Sequence, residues 1–372
     1  MALFIGLISG TSVDAIDAVL CDIHKTPNQS IKLLHSLSYP YPESLQQQLL
    51  DFGKSNYQGD PIDQLGKLDH QVALHFVQAV QQLLDQAKCS PEDIVAIGSH
   101  GQTVRHRPDS RYPFTLQIGD GNIVAAKTGI KTVADFRRRD MAHGGQGAPF
   151  APAFHQAFFA DEEHSRAVVN LGGIANFTLL QPGQTPVGFD TGPANTLMDH
   201  WIFQHQQLSY DIDGRWASSG KVIPEVLERL LDDPFFNMSA PKSTGCEYFN
   251  LDWLHHISEP LELAQYLPQD VQRTLLELTA HTVASSILRY MDRGQVYLCG
   301  GGAHNPALRT RLKQLLPLHT INDSSQLGIA PDWVEAMTFA WFASKTIAQE
   351  AIALSSITGA SQNSILGAIY SN

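Results

Sequence analysis

An aspartate near the middle of the chain stands where a catalytic base could act. Asp190 lies in Gly188-Phe189-Asp190-Thr191-Gly192, between the end of an apolar segment and a glycine turn. A lone carboxylate there can accept a proton from a nucleophile during phosphoryl transfer. It can also cap the helix that the sequence predicts over 195–203. The local sequence does not decide whether Asp190 is a catalytic base or a helix cap.

Two glycine turns interrupt apolar strands, and each is suited to a phosphate. The first is Gly10-Thr11-Ser12 and the second is Gly172-Gly173. Glycine lets backbone N–H groups approach a ligand closely, and converging N–H groups bind anions. Asp14, just after the first turn, could hold a magnesium ion directly or through water. The alternative for both segments is an ordinary tight hairpin. The flanking strands are predicted over 4–9 and 15–23, and over 167–170 and 175–180.

A third glycine cluster and two polar loops complete the set of candidate ligand-binding segments. Gly300-Gly301-Gly302 follows a predicted strand, and its bare backbone could lie flat against adenine or ribose. Residues 100–103 and 135–149 combine polar side chains with glycine, which suits a hydroxyl-rich ligand. Within the second loop, three consecutive arginines at 137–139 are followed directly by an aspartate. This basic run is either an ion-paired surface segment or part of a substrate site.

The elements that must position these residues occur twice in the same order. A glycine hairpin is followed by a helix over 62–87 and a strand over 94–97 that ends at glycine. The second hairpin is followed by a helix over 270–291 and a strand over 296–299 that also ends at glycine. This echo predicts an internal duplication, with a nucleotide held in a cleft between two α/β halves. A last helix, predicted over 333–353, is expected to pack on the first half.

Composition narrows the class of protein. The 372 residues are 43% hydrophobic and 17% charged, as in a folded protein of two ordinary domains. The net charge of −12 argues against a broad nucleic-acid surface. No apolar run approaches the roughly 20 residues of a membrane span. The four scattered cysteines match no metal pattern and suggest a reduced, cytoplasmic protein.

Common nucleotide and metal motifs do not account for this chain. No GxxxxGK[ST] loop follows either hairpin, and no GxGxxG precedes a helix. The 16 histidines include no HExxH and no other metal-ligand spacing, which disfavours a metallohydrolase.

Over nearly its whole length the chain resembles the anhydro-N-acetylmuramic acid kinase family. The motifs are long enough to be specific. The segments that carry the resemblance are 9–17, 99–108, 115–120, 133–152, 170–177, 188–199, 210–220, 241–249, 270–279, 299–305 and 331–343.

The resemblance implies a two-domain actin-like α/β fold, a duplicated ribonuclease H-like sugar-kinase fold with an interdomain ATP and sugar cleft. The expected domains are 1–135 with 336–372, and 136–335. It also implies a cytoplasmic enzyme of cell-wall recycling that uses ATP and Mg²⁺. Family members open the 1,6-ether of anhydro-N-acetylmuramic acid with water and phosphorylate O6. The expected partner is this amino sugar, with neither nucleic acid nor membrane involved, and a homodimer is left open.

The resemblance also assigns roles to residues of this chain. Asp190 is expected to activate the water. The expected ATP-binding residues are Gly10, Thr11, Ser12, Val13, Asp14, Ala15, Ile16, Asp17, Gly172, Gly173, Asn176, Gly300, Gly301, Gly302 and Asn305. The expected sugar-binding residues are Gln102, Arg137, Gln146 and Glu335.

The chain departs from the family pattern at two positions. Ala15 stands where family members usually have glycine, and Ala194 where many do, and a methyl group is tolerable there unless the backbone needs a positive φ. Two rival functions share the nucleotide-binding features: a kinase of the same fold acting on another sugar or sugar acid, and a nucleotide-gated clamp of the Hsp70 or actin type. The length leaves no room for the separate peptide-binding domain of such a clamp.

Overall fold

The computed structural model describes residues 2–10, 13–24, 30–53, 57–240 and 242–372. The predicted phosphate-loop residues Thr11 and Ser12 lie outside these ranges. The described residues form two compact units, one within 1–158 and 333–372 and the other within 159–332. The division expected from the sequence placed these boundaries at 135/136 and 335/336, and it stays a prediction. In the described part of the chain, no helix has the length and apolar character needed to cross a membrane.

The first unit is an α/β structure built on one sheet. Its strands are β1 (Leu3–Ser9), β2 (Ala15–His24), β3 (Ser30–Pro40), β4 (Ile94–Arg107), β5 (Phe114–Ile118), β6 (Thr132–Ala134) and β12 (Ala368–Tyr370). Its helices are α1 (Glu43–Gly53), α2 (Pro61–Ala87), α3 (Gly121–Thr128), α4 (Phe136–Ala142), α5 (Ala151–Phe159), α13 (Val334–Ile347) and α14 (Ser355–Thr358).

The second unit is built on a separate sheet. Its strands are β7 (Arg166–Leu171), β8 (Ile174–Leu180), β9 (Val187–Pro193), β10 (Gly294–Cys299) and β11 (His319–Asp323). Its helices are α6 (Asn195–Gln206), α7 (Arg215–Ser219), α8 (Pro224–Leu231), α9 (Pro234–Asn237), α10 (Leu251–Ser258), α11 (Pro268–Tyr290) and α12 (Pro306–Leu315).

Five strands of the first sheet have the same topology as the second sheet, and β5 and β12 are additional strands of the first. In the first, β1, β2 and β3 form an antiparallel meander, β4 pairs parallel with β1, and β6 pairs parallel with β4. In the second, β7, β8, β9, β10 and β11 repeat each pairing in the same order and direction. This recurrence confirms the predicted duplication and the two-domain, ribonuclease H-like duplicated α/β fold.

One long helix in each unit supplies much of the core, by different patterns. Helix α2 presents an apolar stripe that includes Leu68, Val72 and Phe76, all fully buried, as its helical periodicity predicted. Helix α11 is buried on most of its surface, so polar residues such as Gln272 are also enclosed. The predicted helices over 62–87 and 270–291 are therefore both present, with ends shifted by at most two residues.

Helix α13 packs on the sheet of the first unit through close backbone contact. A Cβ at Gly98 would overlap the carbonyl oxygen of Phe339 in this helix. The prediction that the strand beginning at Ile94 ends at this glycine was therefore wrong, because Gly98 admits the helix and β4 runs on to Arg107. The predicted last helix is shorter than expected and ends at Ile347. Residues Pro91–Asp93 form a single 3₁₀ turn before β4.

Candidate functional site

Asp190 lies inside strand β9 of the second unit, where both carboxylate oxygens are held. The Asn176 side-chain amide donates to Oδ1 at 2.8 Å from the paired position of β8. The backbone N–H of Thr244 donates to Oδ2 at 3.0 Å. The N–H of Asp190 itself donates to the carbonyl of Lys242 at 3.0 Å. Hydrogen bonds to both carboxylate oxygens therefore fix the orientation of the Asp190 side chain.

Burial tunes this carboxylate to the range of a general base. Asp190 is 9% exposed, and its desolvation raises its pKa to about 6. The hydrogen bonds from Thr244 and Asn176 and the charge of Lys242 oppose that rise, whereas Glu247 adds to it. A carboxyl group with a pKa of about 6 is mostly ionised at neutral pH and is more basic than an exposed aspartate.

The helix-cap alternative for Asp190 is wrong. The following helix, α6, begins at Asn195, and its N-cap position is Ala194, four residues beyond Asp190. The pairing of β9 with β8 extends to Pro193, so Asp190 belongs to the sheet.

The second glycine turn packs against the start of α6. Asn195 N–H donates to the Gly172 carbonyl at 3.0 Å, and Thr196 N–H donates to that of Gly173 at 3.1 Å. The Asn195 side chain donates to the Leu171 carbonyl at 2.8 Å. The turn between β7 and β8 is thus held by main-chain bonds, which fixes the strand that carries Asn176.

The third glycine cluster meets the same turn. Gly300 has a φ of +75°, and a Cβ there would overlap Oδ1 of Asn170 at the end of β7. A Cβ at Gly302 would approach Leu171, whereas one at Gly301 would meet open space. Asn305 is the N-cap of α12, and its Oδ1 accepts from Ala307 and Leu308 N–H at 3.1 Å each. The structure thus gives Asn305 a capping position, and its predicted contact with ATP stays a prediction.

In the first unit, the described end of the predicted phosphate loop has an unusual backbone. Val13 has a φ of +55°, rare for a β-branched residue, and its N–H donates to the Gly10 carbonyl at 3.2 Å. Asp14 is exposed at the start of β2, which then carries Ala15, Ile16 and Asp17. The positive φ therefore falls on valine. Ala15 is in a strand and Ala194 has a φ of −112°. The backbone at these two positions therefore does not require glycine.

The end of β1 contacts one of the predicted sugar-binding residues. The hydroxyl group of Ser9 donates to Oε1 of Gln102 on the neighbouring strand β4. Gln102 is 2% exposed, and its side-chain amide donates to the Thr103 carbonyl at 3.2 Å. The strand that leads into the predicted phosphate loop is thus tied to the polar loop at 100–103.

Arg137 is a half-buried cation held by neutral partners. Its Nε donates to His100 Nε2 at 2.9 Å, and Nη1 donates to the Gly147 carbonyl at 2.6 Å. His100 Nδ1 lies 3.1 Å from the Gly101 carbonyl, so that nitrogen carries the proton of a neutral imidazole. Burial and the charge of Arg137 hold the pKa of His100 well below its usual range. Arg138, by contrast, is exposed and pairs with Asp135 at 2.8 Å.

Glu335 and Gln146 belong to the same unit as Arg137. Burial lowers the pKa of Arg137 to about 10, while the charges of Glu335 and Asp140 oppose the shift. The guanidinium group therefore stays charged at neutral pH. Glu335 is exposed in the first turn of α13, and the N–H of Gln146 donates to the Thr358 carbonyl at 2.9 Å.

The structure adds residues that the sequence did not single out. Lys242, 6% exposed, and Thr244 lie outside the helices and strands and contact Asp190 through backbone groups. Asp233 is 2% exposed and accepts from Phe235 N–H, the Tyr248 hydroxyl and the Trp253 indole. The resemblance at 241–249 was the available signal, because no spacing rule predicts which backbone N–H will meet a carboxylate.

Comparison with known proteins bears on the whole chain. The family described as "Anhydro-N-acetylmuramic acid kinase" matches residues 2–372. A protein of that name from Legionella pneumophila (strain Corby) is 47% identical over 371 residues, covering 100% of this chain and 98% of its own. Another of that name, from Photobacterium profundum, is 46% identical over 375 residues, covering 99% of this chain and 98% of its own.

One solved structure found by the comparison is much less similar. The activator of the 2-hydroxyisocaproyl-CoA dehydratase from Clostridium difficile is 13% identical, with a TM-score of 0.44 over 92% of this chain and 94% of its own. That likeness is too low to carry an argument. The sequence matches, in contrast, span both chains almost completely. This chain belongs to the anhydro-N-acetylmuramic acid kinase family.

Proposed function

We propose that this chain is an ATP-dependent kinase of 1,6-anhydro-N-acetylmuramic acid. It opens the internal ether with water and phosphorylates O6, giving N-acetylmuramic acid 6-phosphate and ADP. The family membership supports the kinase and its amino-sugar substrate. The observation that carries the proposed mechanism is Asp190, a buried carboxylate oriented by Asn176 and Thr244, with a pKa of about 6.

The proposed reaction gives Asp190 one proton to accept. Water attacks the anomeric carbon C1 as the bond from C1 to O6 breaks, and one water proton goes to Asp190. The water oxygen becomes the hydroxyl group at C1. O6 takes the γ-phosphoryl group of ATP, so its developing negative charge is neutralised as the ether opens. Asp190 then releases its proton to solvent, and ADP leaves.

The first unit offers groups that suit a sugar acid. Arg137 keeps a fixed positive charge that His100 cannot neutralise, which suits the carboxylate of a muramic acid. Gln102 and Gln146 have amide groups and Glu335 has a carboxylate, and such groups bind sugar hydroxyls. We assign these four residues to the sugar as part of the proposal.

The predicted nucleotide residues complete the proposed site. Gly10–Asp17, Gly172, Gly173, Asn176, Gly300–Gly302 and Asn305 are assigned to ATP, with Gly301 the position where a Cβ would meet open space. Asp14 fits a magnesium ion that is otherwise bound by phosphates and water, because it is an exposed carboxylate beside the loop. When bound, the ion would neutralise charge on the phosphates. A cytoplasmic location and a homodimer also remain predictions.

Substrate turnover tests the function. ADP release should require 1,6-anhydro-N-acetylmuramic acid, with little turnover of glucose or N-acetylmuramic acid. In water labelled with oxygen-18, the label should enter the product at C1 and be absent from the phosphate. Turnover of the two control sugars but not of the anhydro sugar would point to another sugar kinase. Sugar-independent ATP hydrolysis stimulated by a protein partner would point to a clamp.

A further inference from the structure

The segment that follows α9 has a buried lysine beside the proposed base. Lys242 Nζ donates to the carbonyl of Phe235 at 3.0 Å and lies 3.4 Å from that of Phe236. The ammonium group also lies over the rings of Phe235 and Phe189, at 4.5 and 5.8 Å from their centroids. Phe189 directly precedes Asp190 in β9. This side chain therefore joins α9 to the strand that carries the proposed base.

The main chain of the same segment contacts Asp190 on two sides. The carbonyl of Lys242 accepts from the Asp190 N–H at 3.0 Å, and the N–H of Thr244 donates to Oδ2 at 3.0 Å. A displacement of residues 242–244 would thus move or release one carboxylate oxygen. The anchored lysine side chain opposes such a displacement.

Neighbouring groups fix the rest of this loop. Arg289, at the end of α11, donates to the Met238 carbonyl at 3.1 Å. Asp233, the N-cap of α9, accepts from the Tyr248 hydroxyl of the loop at 3.0 Å and from the Trp253 indole of α10 at 2.9 Å. The charged groups that act on Asp190 and Lys242 are then Glu247 on the loop and Arg289 on α11. The positive charge of Lys242 holds the pKa of Asp190 down, against burial and Glu247.

We propose that Lys242 is a positioning residue, whose anchored ammonium group holds segment 242–244 against β9 and keeps Asp190 oriented and ionised. The proposal deepens the proposed function and rests on Asp190 being its base. Lys242 acts through Asp190 and is not itself assigned a contact with the substrate.

Replacing Lys242 with a neutral residue should change both the value of kcat and its dependence on pH. Lys242→Met should lower kcat about 100-fold, as expected for a misplaced catalytic group. KM for the sugar should change by less than about threefold, since a positioning residue acts on the chemical step. The acid limb of kcat should move to higher pH, by about one unit, because an opposing positive charge is lost. Lys242→Arg should keep the wild-type acid limb.

Two further variants make the test decisive. Lys313→Met, on α12, removes an exposed lysine and should leave kcat and the acid limb unchanged. Lys242→Gln keeps a donor for the Phe235 carbonyl without the charge, and it replaces Lys242→Met if that variant does not fold. A neutral variant that folds and has the wild-type acid limb and kcat would overturn the proposal.

An activity-independent readout separates this proposal from the proposed function. The Asp190 carboxyl group can be titrated by carbon-13 NMR with labelled aspartate, its signal assigned by its loss in Asp190→Asn. The neutral variants should raise that pKa even if the wild type fails to use the anhydro sugar. If the wild type turns over the sugar and the carboxyl pKa is unmoved in the neutral variants, Lys242 is not its positioning residue.

Discussion

The two units share one sheet topology but hold opposite charges, Arg137 in α4 of the first unit and Asp190 in β9 of the second. In the first, Arg137 is held by a neutral histidine and a backbone carbonyl, with a pKa of about 10. In the second, Asp190 accepts hydrogen bonds from the Asn176 amide and the Thr244 N–H and has a pKa of about 6. Burial shifts both pKa values toward neutrality, but only that of Asp190 comes within reach of neutral pH. One duplicated framework thus offers a fixed charge and a group able to exchange a proton.

The largest expected effect comes from removing the proton acceptor. Asp190→Asn should lower kcat by about 10³-fold, within the usual range for a general base, with little change in KM. Steady-state ADP release measures both. Asp252→Asn, an exposed aspartate of α10 in the same unit, is the control and should retain full activity. Less than a tenfold loss in Asp190→Asn would remove Asp190 from the role of base.

Removing the fixed charge should affect binding instead. Arg137→Met should raise KM for the anhydro sugar about 100-fold, equivalent to about 3 kcal/mol for a lost partly buried ion pair. The effect should be much smaller with 1,6-anhydro-N-acetylglucosamine, which lacks the lactyl carboxylate. Arg138→Met is the matched control, because that arginine is exposed and pairs with Asp135. An equal loss on both sugars would show that Arg137 does not recognise the carboxylate.

The pH dependence of kcat should reflect the titration of Asp190 in the second unit and not that of Arg137 in the first. A general base must be ionised, so activity should be nearly constant between about pH 7 and 8 and fall as the pH drops through the Asp190 pKa of about 6. Below that pKa the rate should fall about tenfold per pH unit. Activity should also fall above the Lys242 pKa of about 8, where the positioning ammonium group loses its charge. The pKa of Arg137 is about 10, so its charge does not change in this range. A flat kcat between pH 5 and 8 would contradict the assignment of Asp190.

Alanine variants of two glycines should distinguish a glycine needed for packing from one proposed to contact ATP. Gly98→Ala should lower the free energy of unfolding by about 1–3 kcal/mol, because the new methyl group overlaps the Phe339 carbonyl. Gly301→Ala should leave thermal stability nearly unchanged, since a Cβ there meets open space, yet it should raise KM for ATP. Thermal unfolding and ATP titrations measure the two effects. An unchanged KM for ATP would remove Gly301 from the proposed nucleotide site.

Periodicity and glycine spacing predicted the repeated elements well, because both are local properties of the chain. The hairpins around 10–12 and 172–173 needed only apolar strands and turn residues to be recognised. The course of β4 beyond Gly98 was not predictable in this way. Whether a glycine ends a strand or admits a helix depends on α13, more than 200 residues further along the chain.

The sequence by itself determined the duplicated α/β fold, the family and the candidate aspartate. Only the tertiary structure decided that Asp190 lies within a strand, with its carboxylate fixed by hydrogen bonds, and that it does not cap α6. That decision rests on Asn176, Lys242 and Thr244, which meet Asp190 through side-chain and backbone groups from separate segments. Desolvation and hydrogen bonding arise only when such distant groups are packed together, so no local pattern reports a carboxyl pKa of about 6.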